Sequence, residues 1–319
     1  MTAPDMSTLL IGDSLPMRQL RALIARVATS NLPVLIQGET GSGKELVARA
    51  LHQQSGRSGP LVALNVCALP DSMFEASMFG HVRGAFTGAL RDSTGYLTEA
   101  HRGTLFLDEI SGLSLSNQVK LLRAIETREF RPVGARADQR SDFRLVAASN
   151  EEMGQLVERG AFRRDLAHRL GGIRVMVPPL RDRLEDVPIL AAHFAAHAQN
   201  GRAEDAVIAS DALRTLQTHF WPGNVRELRH VVEASIALSN GAVTQEDVAV
   251  LIQPTVLGSA QRRLAHQGKN LLEQLDRCAW DVNEVASELG VHRATVYRRL
   301  KRLGVSEPGT REAPAAGSL

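Results

Sequence analysis

The stretch Leu32-Pro33-Val34-Leu35-Ile36-Gln37-Gly38-Glu39-Thr40-Gly41-Ser42-Gly43-Lys44-Glu45-Leu46-Val47-Ala48 decides how the rest of the chain is read. It opens on a short β-rich run. It closes on a good helix former that continues through Arg49-Ala50-Leu51-His52 with apolar residues on one face. Strand, glycine-rich loop and helix in that order make G-x-x-x-x-G-K a phosphate cradle. Glycines let the backbone wrap close to an anion, the N–H groups and the helix N-terminus point at it, and Lys44 adds positive charge. Gly38, Glu39, Thr40, Gly41, Ser42, Gly43, Lys44 and Glu45 are the candidate phosphate-binding residues. Glu45 departs from the generic motif, which places a magnesium-binding Ser or Thr there. A plain glycine-rich turn is the alternative, so corroboration must come from further along the chain.

A length of 319 residues points to two or three domains. Hydrophobic (44%) and charged (23%) fractions are those of a soluble globular protein with ample core material. The net charge of +2 requires any nucleic-acid surface to be local rather than global. No apolar run reaches the roughly eighteen residues of a membrane span, and Met1-Thr2-Ala3-Pro4-Asp5 lacks the pattern of a signal peptide. A cytoplasmic protein is expected. Cys67 and Cys278 have no metal-ligand spacing and read as buried small hydrophobes in a reducing compartment.

In residues 8–31, Met17, Leu20, Leu23, Ile24 and Val27 recur at helical spacing and predict an amphipathic helix. Further strands are expected at Leu61–Val66, Gly103–Glu109, Phe143–Asn150 and Ile173–Val177. Continuous apolar strands alternating with helices argue for an α/β fold, a parallel sheet covered by helices. Pro178-Pro179 breaks this pattern, and Val187–Ala198, Asp211–His219 and Val225–Leu238 then show helical periodicity alone. The expected organisation is a short tail (1–7), an α/β subdomain (8–178), a helical subdomain (179–252), a linker (253–268), a compact helical unit (269–305) and a disordered tail (306–319).

Asp108-Glu109 closes an apolar strand, where a doubly wound sheet carries its active site. Downstream of a phosphate loop, such a pair suits one carboxylate for magnesium and one for activating water. Capping a strand at the surface is the plainer role. The sharpest local signal is Gly84-Ala85-Phe86-Thr87-Gly88-Ala89, preceded by Phe79-Gly80-His81-Val82-Arg83. Its glycines and alanines cannot make a stable helical turn. They make a flexible loop with one aromatic tip and one hydroxyl, and an exposed Phe on a mobile loop has a partner.

On these residues the chain resembles the bacterial enhancer-binding proteins that activate sigma-54 RNA polymerase, members of the AAA+ ATPases, over roughly residues 8–305. The resemblance implies an AAA+ P-loop core, a helical lid and a Fis-type helix-turn-helix, with ATP and Mg2+ as cofactors. It makes Gly84 to Ala89 the sigma-54 contact and Glu45 an expected residue. Asp108 would hold the metal, Glu109 would polarise water, and Asn65 would hold Glu109 and relay the nucleotide state. Asn150 falls at the sensor I position, and Arg226, within Trp221-Pro222-Gly223-Asn224-Val225-Arg226-Glu227-Leu228, at sensor II. Arg163 and Arg169 occupy the arginine-finger positions, acting on a neighbouring subunit's ATP in a ring, normally a hexamer. Read without the family, they are a solvated basic helix.

Val282 to Leu289, a turn at Gly290-Val291-His292, and Arg293 to Leu303 read as a helix-turn-helix packed through Ala286, Gly290, Val291 and Val296. The second helix is basic and free of acids, which suits a major groove. Arg293, Thr295, Arg298, Arg299 and Arg302 are the candidate DNA-binding residues; a solvated cationic helix is the alternative. The unit also resembles the Fis-type domain of the same family, which typically dimerises, so paired half-sites in enhancer DNA are implied.

Gly95-Tyr96-Leu97-Thr98-Glu99-Ala100 departs from the family's G-x-F-E-x-A, with Thr98 where the acid belongs. About seven residues precede the AAA+ segment, so the family's receiver or sensor domain is expected to be missing and a regulatory protein to act in trans. The expected function is an ATP-dependent activator that opens sigma-54 promoters. A DNA-recruited AAA+ motor of the helicase-loader kind and a repressor that only senses ATP are the alternatives.

Overall fold

The computed structural model describes residues 6–198, 207–239 and 241–252, together with Leu275, Cys278, Trp280, Asp281, Val282, Val285, Ala286, Arg293 and Val296. The chain divides into two compact units, 1–252 and 253–319.

In the first unit, β1 (Val34–Gln37), β2 (Leu61–Asn65), β3 (Thr104–Asp108), β4 (Arg144–Ser149) and β5 (Ile173–Met176) form one parallel sheet in the order β2-β3-β4-β1-β5. Both faces are covered, which is why the central strands are apolar throughout rather than alternating. Leu35, Leu105, Leu107, Leu145 and Ala147 pack one way, against Phe74, Met78, Leu121 and Ile125. Ile36, Phe106, Val146 and Ala148 pack the other way, against Ile24, Val47 and Leu51. The register pairs Gln37 with Ser149 and Asn65 with Asp108, so the strand ends that carry the motifs lie side by side.

Helices α1 (Leu15–Val27), α2 (Lys44–Gln53), α3 (Asp71–Phe79), α4 (Leu115–Thr127) and α5 (Arg164–Leu170) accompany the sheet. The helix expected over 8–31 is split, with a short turn at Met6–Leu9 and a new start at Leu15. Gly12, the Ser14 cap and Pro16 in the first turn make the break, and a distant carboxylate holds it. Asp186 accepts hydrogen bonds from Asp13 N (2.7 Å), Ser14 N (2.9 Å) and Ser14 Oγ (2.6 Å). Gly12 lies against it at φ +132°, where an added Cβ would come within 2.5 Å of the carboxylate. Ser14 then caps α1 by accepting from Met17 N. At the other end of α1, the buried Arg144 guanidinium donates to the carbonyls of Val27 and Ala28. A cation there satisfies terminal acceptors and opposes the helix dipole.

The lid consists of α6 (Val187–Ala198), α7 (Ser210–Thr218), α8 (Asn224–Leu238) and α9 (Gln245–Leu251) around Leu190, Leu216, Trp221, Leu228 and Val232. The expected helices thus stand within a residue or so of their predicted bounds. Among the described residues, no helix is long and apolar enough to cross a membrane. In the second unit, Leu275, Val282, Val285, Ala286 and Val296 form a buried cluster, which includes two of the expected packing residues. Gly290 and Val291 lie outside the described residues, as do the linker 253–268 and the tail 306–319.

Candidate active site

The phosphate loop leaves β1 and turns into α2 through Gly41 (φ +77°) and Gly43 (φ +107°), conformations that side chains rarely adopt. Lys44 is the first residue of α2 and only 6% exposed. Its Nζ donates to Gly38 O (3.0 Å) and Glu39 O (3.3 Å) and stands 3.8 Å from Glu109 Oε1. Ser42 Oγ is buried without a hydrogen-bond partner among the described residues. A buried ammonium, an unpaired hydroxyl and the open N-terminus of α2 fit the oxyanions of a nucleotide. The Glu45 side chain turns outward to pair with Arg49 at 2.7 Å, so it offers no substitute for a metal-binding hydroxyl.

Asp108 ends β3, and its Oδ1 accepts from Glu109 N at 3.0 Å. Glu109 itself lies at φ +53°, a strained position for a carboxylate residue and a frequent one in active sites. Asn150, just past β4, donates from Nδ2 to Thr40 Oγ1 (3.4 Å) and accepts from Ser111 Oγ (3.5 Å). It therefore links the phosphate loop to the segment after Glu109. Asn65 departs from expectation. Its Oδ1 accepts from Cys67 N (2.9 Å) and caps the turn Val66–Ala68, and no bond from Asn65 to Glu109 is found among the described residues. Cys67 is exposed rather than buried, because that turn carries it outward to Glu109 O, 3.7 Å from its Sγ. Partial burial, then the Glu109 and Asp108 carboxylates, push its thiol pKa up.

The lid grips the loop from the other side. Arg181 donates to both Glu39 carboxylate oxygens (2.7 and 2.6 Å), and Asn224 Nδ2 donates to Glu39 Oε2 and Thr40 O, each at 3.1 Å. The Arg181 hydrogen bonds hold the Glu39 carboxyl below the usual carboxylate range against its partial burial. Val225 N (3.1 Å) and Arg226 N (3.3 Å) both donate to Gly41 O. The Arg226 side chain itself is exposed. Beside this junction lies a largely apolar cavity of about 220 Å³, lined by Ile11, Leu46, Val47, Leu190, Phe194 and Val225 among others. Sequence reasoning missed Arg181, Asn224 and this cavity. Asn224 lies within the Trp221–Leu228 segment that carries Arg226, and Arg181 follows directly on the Pro178-Pro179 break, but neither position marks its residue as a partner of the glycine-rich loop.

Arg163 and Arg169 are exposed on or beside α5, and neither touches the phosphate loop among the described residues. Arg163 is engaged by Asp165 at 2.6 Å. The loop Gly84–Ala89 is closed at its base by Gly84 N to Ala89 O (2.9 Å). It is also joined to the hairpin that follows α4. Val82 N donates to Val133 O (3.1 Å), Val133 N donates to Gly80 O (2.8 Å), and Gly134 packs against Ala85. Phe86 is less of a free tip than expected, since its ring rests on His81 with centroids 5.0 Å apart. Thr87 is exposed. Arg293 is helical and exposed, whereas Thr295, Arg298, Arg299 and Arg302 lie outside the described residues.

The Sigma-54 interaction domain family matches residues 10–176, the AAA+ ATPase lid domain 181–269, and the Fis family of bacterial regulatory proteins 269–303. Fold and site together define an AAA+ P-loop domain, and the Fis family match adds a helix-turn-helix after it. Over 92% of its length the chain is 39% identical to the putative uric acid sigma-54-dependent transcriptional regulator UacR of Escherichia coli (strain K12), covering 53% of that protein. It is 41% identical to the C4-dicarboxylate transport transcriptional regulatory protein DctD of Rhizobium meliloti (strain 1021), over 93% of this chain and 65% of that one. The crystal structure of NtrX from Brucella abortus in complex with ATP superimposes with a TM-score of 0.69 at 34% identity, covering 93% of this chain and 69% of that one. The chain belongs to the sigma-54-dependent transcriptional regulators. It spans between half and two thirds of the length of the first two relatives.

Proposed function

We propose that this protein is an ATP-driven activator that binds enhancer DNA, assembles from dimers into a ring, normally a hexamer, and remodels sigma-54 RNA polymerase from a closed to an open promoter complex. The backbone N–H groups from Gly41 to Glu45 and the Lys44 ammonium hold the phosphates, and the apolar cavity beside α2 takes the base. Lys44 gives up two carbonyl partners and gains oxyanions of higher charge.

No group of three or more His, Cys, Asp or Glu side chains forms a metal cage among the described residues. Magnesium rests on one or two carboxylates and on substrate phosphates. Asp108 would hold it, and it would supply charge neutralisation on the phosphates. Glu109 polarises the attacking water, and Asn150 and Arg226 respond to the nucleotide from the sheet and the lid. Asn65, capping its turn in this structure, would have to exchange Cys67 N for Glu109 to act as a relay. Arg169 is exposed, so its charge is available to ATP on a neighbouring subunit, and Arg163 would have to exchange its Asp165 partner for that ATP. Arg293, Thr295, Arg298, Arg299 and Arg302 would meet phosphates and base edges of the DNA.

The observation that carries this reading is the pair of hydrogen bonds between Val133 and the strand leading into the Phe86 loop. They join the contact loop to the hairpin behind α4, which itself begins soon after Glu109. A change at the nucleotide would reach Phe86 and Thr87 along α4, whose 13 residues span about 20 Å, and through the Val133 bonds. Open-complex formation on a sigma-54 promoter, with purified polymerase and ATP, tests it. Wild type should open the promoter and Thr87→Ala should not, while retaining much of its ATP turnover. No opening by wild type, despite ATP turnover and DNA binding, would refute the activator reading.

A further inference from the structure

The aromatic residue is not the most open apolar group of the contact segment. Phe86 is 38% exposed with its ring on His81, whereas Leu90, immediately after the loop, is 86% exposed. No other large hydrophobic side chain among the described residues is as open. Leu90 is also held in place. Its N–H donates to Gly88 O (2.9 Å), and the preceding Ala89 is buried, with its own N–H on Phe86 O (3.0 Å) and its carbonyl on Gly84 N (2.9 Å). A single exposed leucine is ordinary on a protein surface; this one is distinguished by its place, in an ordered turn that directly continues the Phe86 loop, within the matched Sigma-54 interaction domain and between two exposed arginines.

The charges nearest it in sequence are mainly positive. Arg83 and Arg91 flank the loop, both exposed and neither in an ion pair among the described residues. The one acid nearby in sequence, Asp92, accepts from Arg83 N at 2.7 Å. Arg136, two residues beyond the Gly134 that packs on Ala85, is exposed and likewise outside any described ion pair.

We infer that Leu90 is a second apolar contact for sigma-54, rimmed by Arg83 and Arg91, and that it receives an apolar segment bordered by acidic residues. This rests on the activator reading, and the matched Sigma-54 interaction domain includes the whole segment.

The test is binding of the full chain to fluorescently labelled sigma-54 in the presence of ADP and aluminium fluoride, with ring assembly read in parallel. Leu90→Ser should weaken binding about tenfold and Leu90→Met should stay within about twofold of wild type. The double variant Arg83→Glu, Arg91→Glu should bind more weakly and lose most of the salt dependence. Wild-type affinity in Leu90→Ser would overturn the inference and leave the activator reading standing. Loss of both binding and ring assembly in Leu90→Ser and Leu90→Met alike would also overturn it, by making Leu90 a structural residue. Absence of sigma-54 binding by wild type itself would overturn both readings.

Discussion

Arg181 meets Glu39 across the junction of phosphate loop and lid with two hydrogen bonds of 2.7 and 2.6 Å to one carboxylate. The two residues are 142 positions apart, and the contact ties the glycine-rich loop to the segment that leads into the lid helices. The guanidinium also lies over the Phe220 ring, 5.1 Å from its centroid, which fixes its plane.

Arg181→Ala should raise KM for ATP with little change in kcat, since the pair shapes the loop and takes no part in bond breaking. Both side chains are partly exposed, so the stability loss at neutral pH should be only about 1 kcal/mol. The Glu39 carboxyl has its pKa lowered in the folded protein, chiefly by Arg181. Its contribution is therefore complete above the ordinary carboxylate pKa and disappears as pH falls through the lowered value. Thermal unfolding of wild type and Arg181→Ala checks this. The gap in Tm should be present at pH 7 and close at strongly acid pH.

Gly41→Ala should abolish tight nucleotide binding. At φ +77°, an added Cβ would lie 2.3 Å from the Gly223 carbonyl oxygen, a backbone atom that cannot swing aside. Gly56 has a similar φ of +70° with nothing within 4 Å of its Cβ, so Gly56→Ala isolates the conformational strain alone. Titration with a fluorescent ATP analogue should give at least about a tenfold rise in Kd for Gly41→Ala, with Gly56→Ala near wild type.

Glu109→Ala should bind ATP and lose hydrolysis by about a hundredfold or more. Arg169→Ala should fail by a comparable factor if its guanidinium serves a neighbour's ATP. Mixing the two inactive proteins then tests the geometry directly. An Arg169→Ala subunit keeps its own Glu109 and can accept the finger of an adjoining Glu109→Ala subunit. With random assembly, about a quarter of the sites become competent, and ATP turnover should reappear on mixing. No recovery would remove the case for action between subunits.

Arg144→Met should destabilise the fold by about 2 to 3 kcal/mol, visible as a drop of several degrees in Tm. The variant fills similar space but leaves the carbonyls of Val27 and Ala28 without their donor in a buried setting. His52 lies near the same cation. Its pKa is lowered, first by burial and then by Arg144 and Arg57, so removal of Arg144 should raise it. NMR titration of the His52 ring reads that change.

Local signals were legible where one segment carries its own reason. The strands could be read because a doubly covered sheet demands unbroken apolar runs, and the phosphate loop because only glycine tolerates its turns. The acidic pair could be read because it closes such a strand. What stayed hidden depends on partners far away in the chain. Asp186 holds the turn before α1 from 172 positions away at Ser14, and Asn224 reaches Thr40 across 184. Cys67 and Leu90 were hidden for another reason. Apolar side chains are expected inside, and nothing in their immediate neighbours reveals that the backbone turns them out.

The bonding of Val133 to Val82 and Gly80 also bears on engineering. Ala85 meets Gly134 so closely that a Cβ on that glycine would lie 2.9 Å from the alanine's. Loop and hairpin turn are therefore one cassette written in two places, residues 80–90 and 131–136. A chimaera that transplants only the first piece into another scaffold would carry the words without their grammar. Both pieces must travel together, with a glycine kept where they touch.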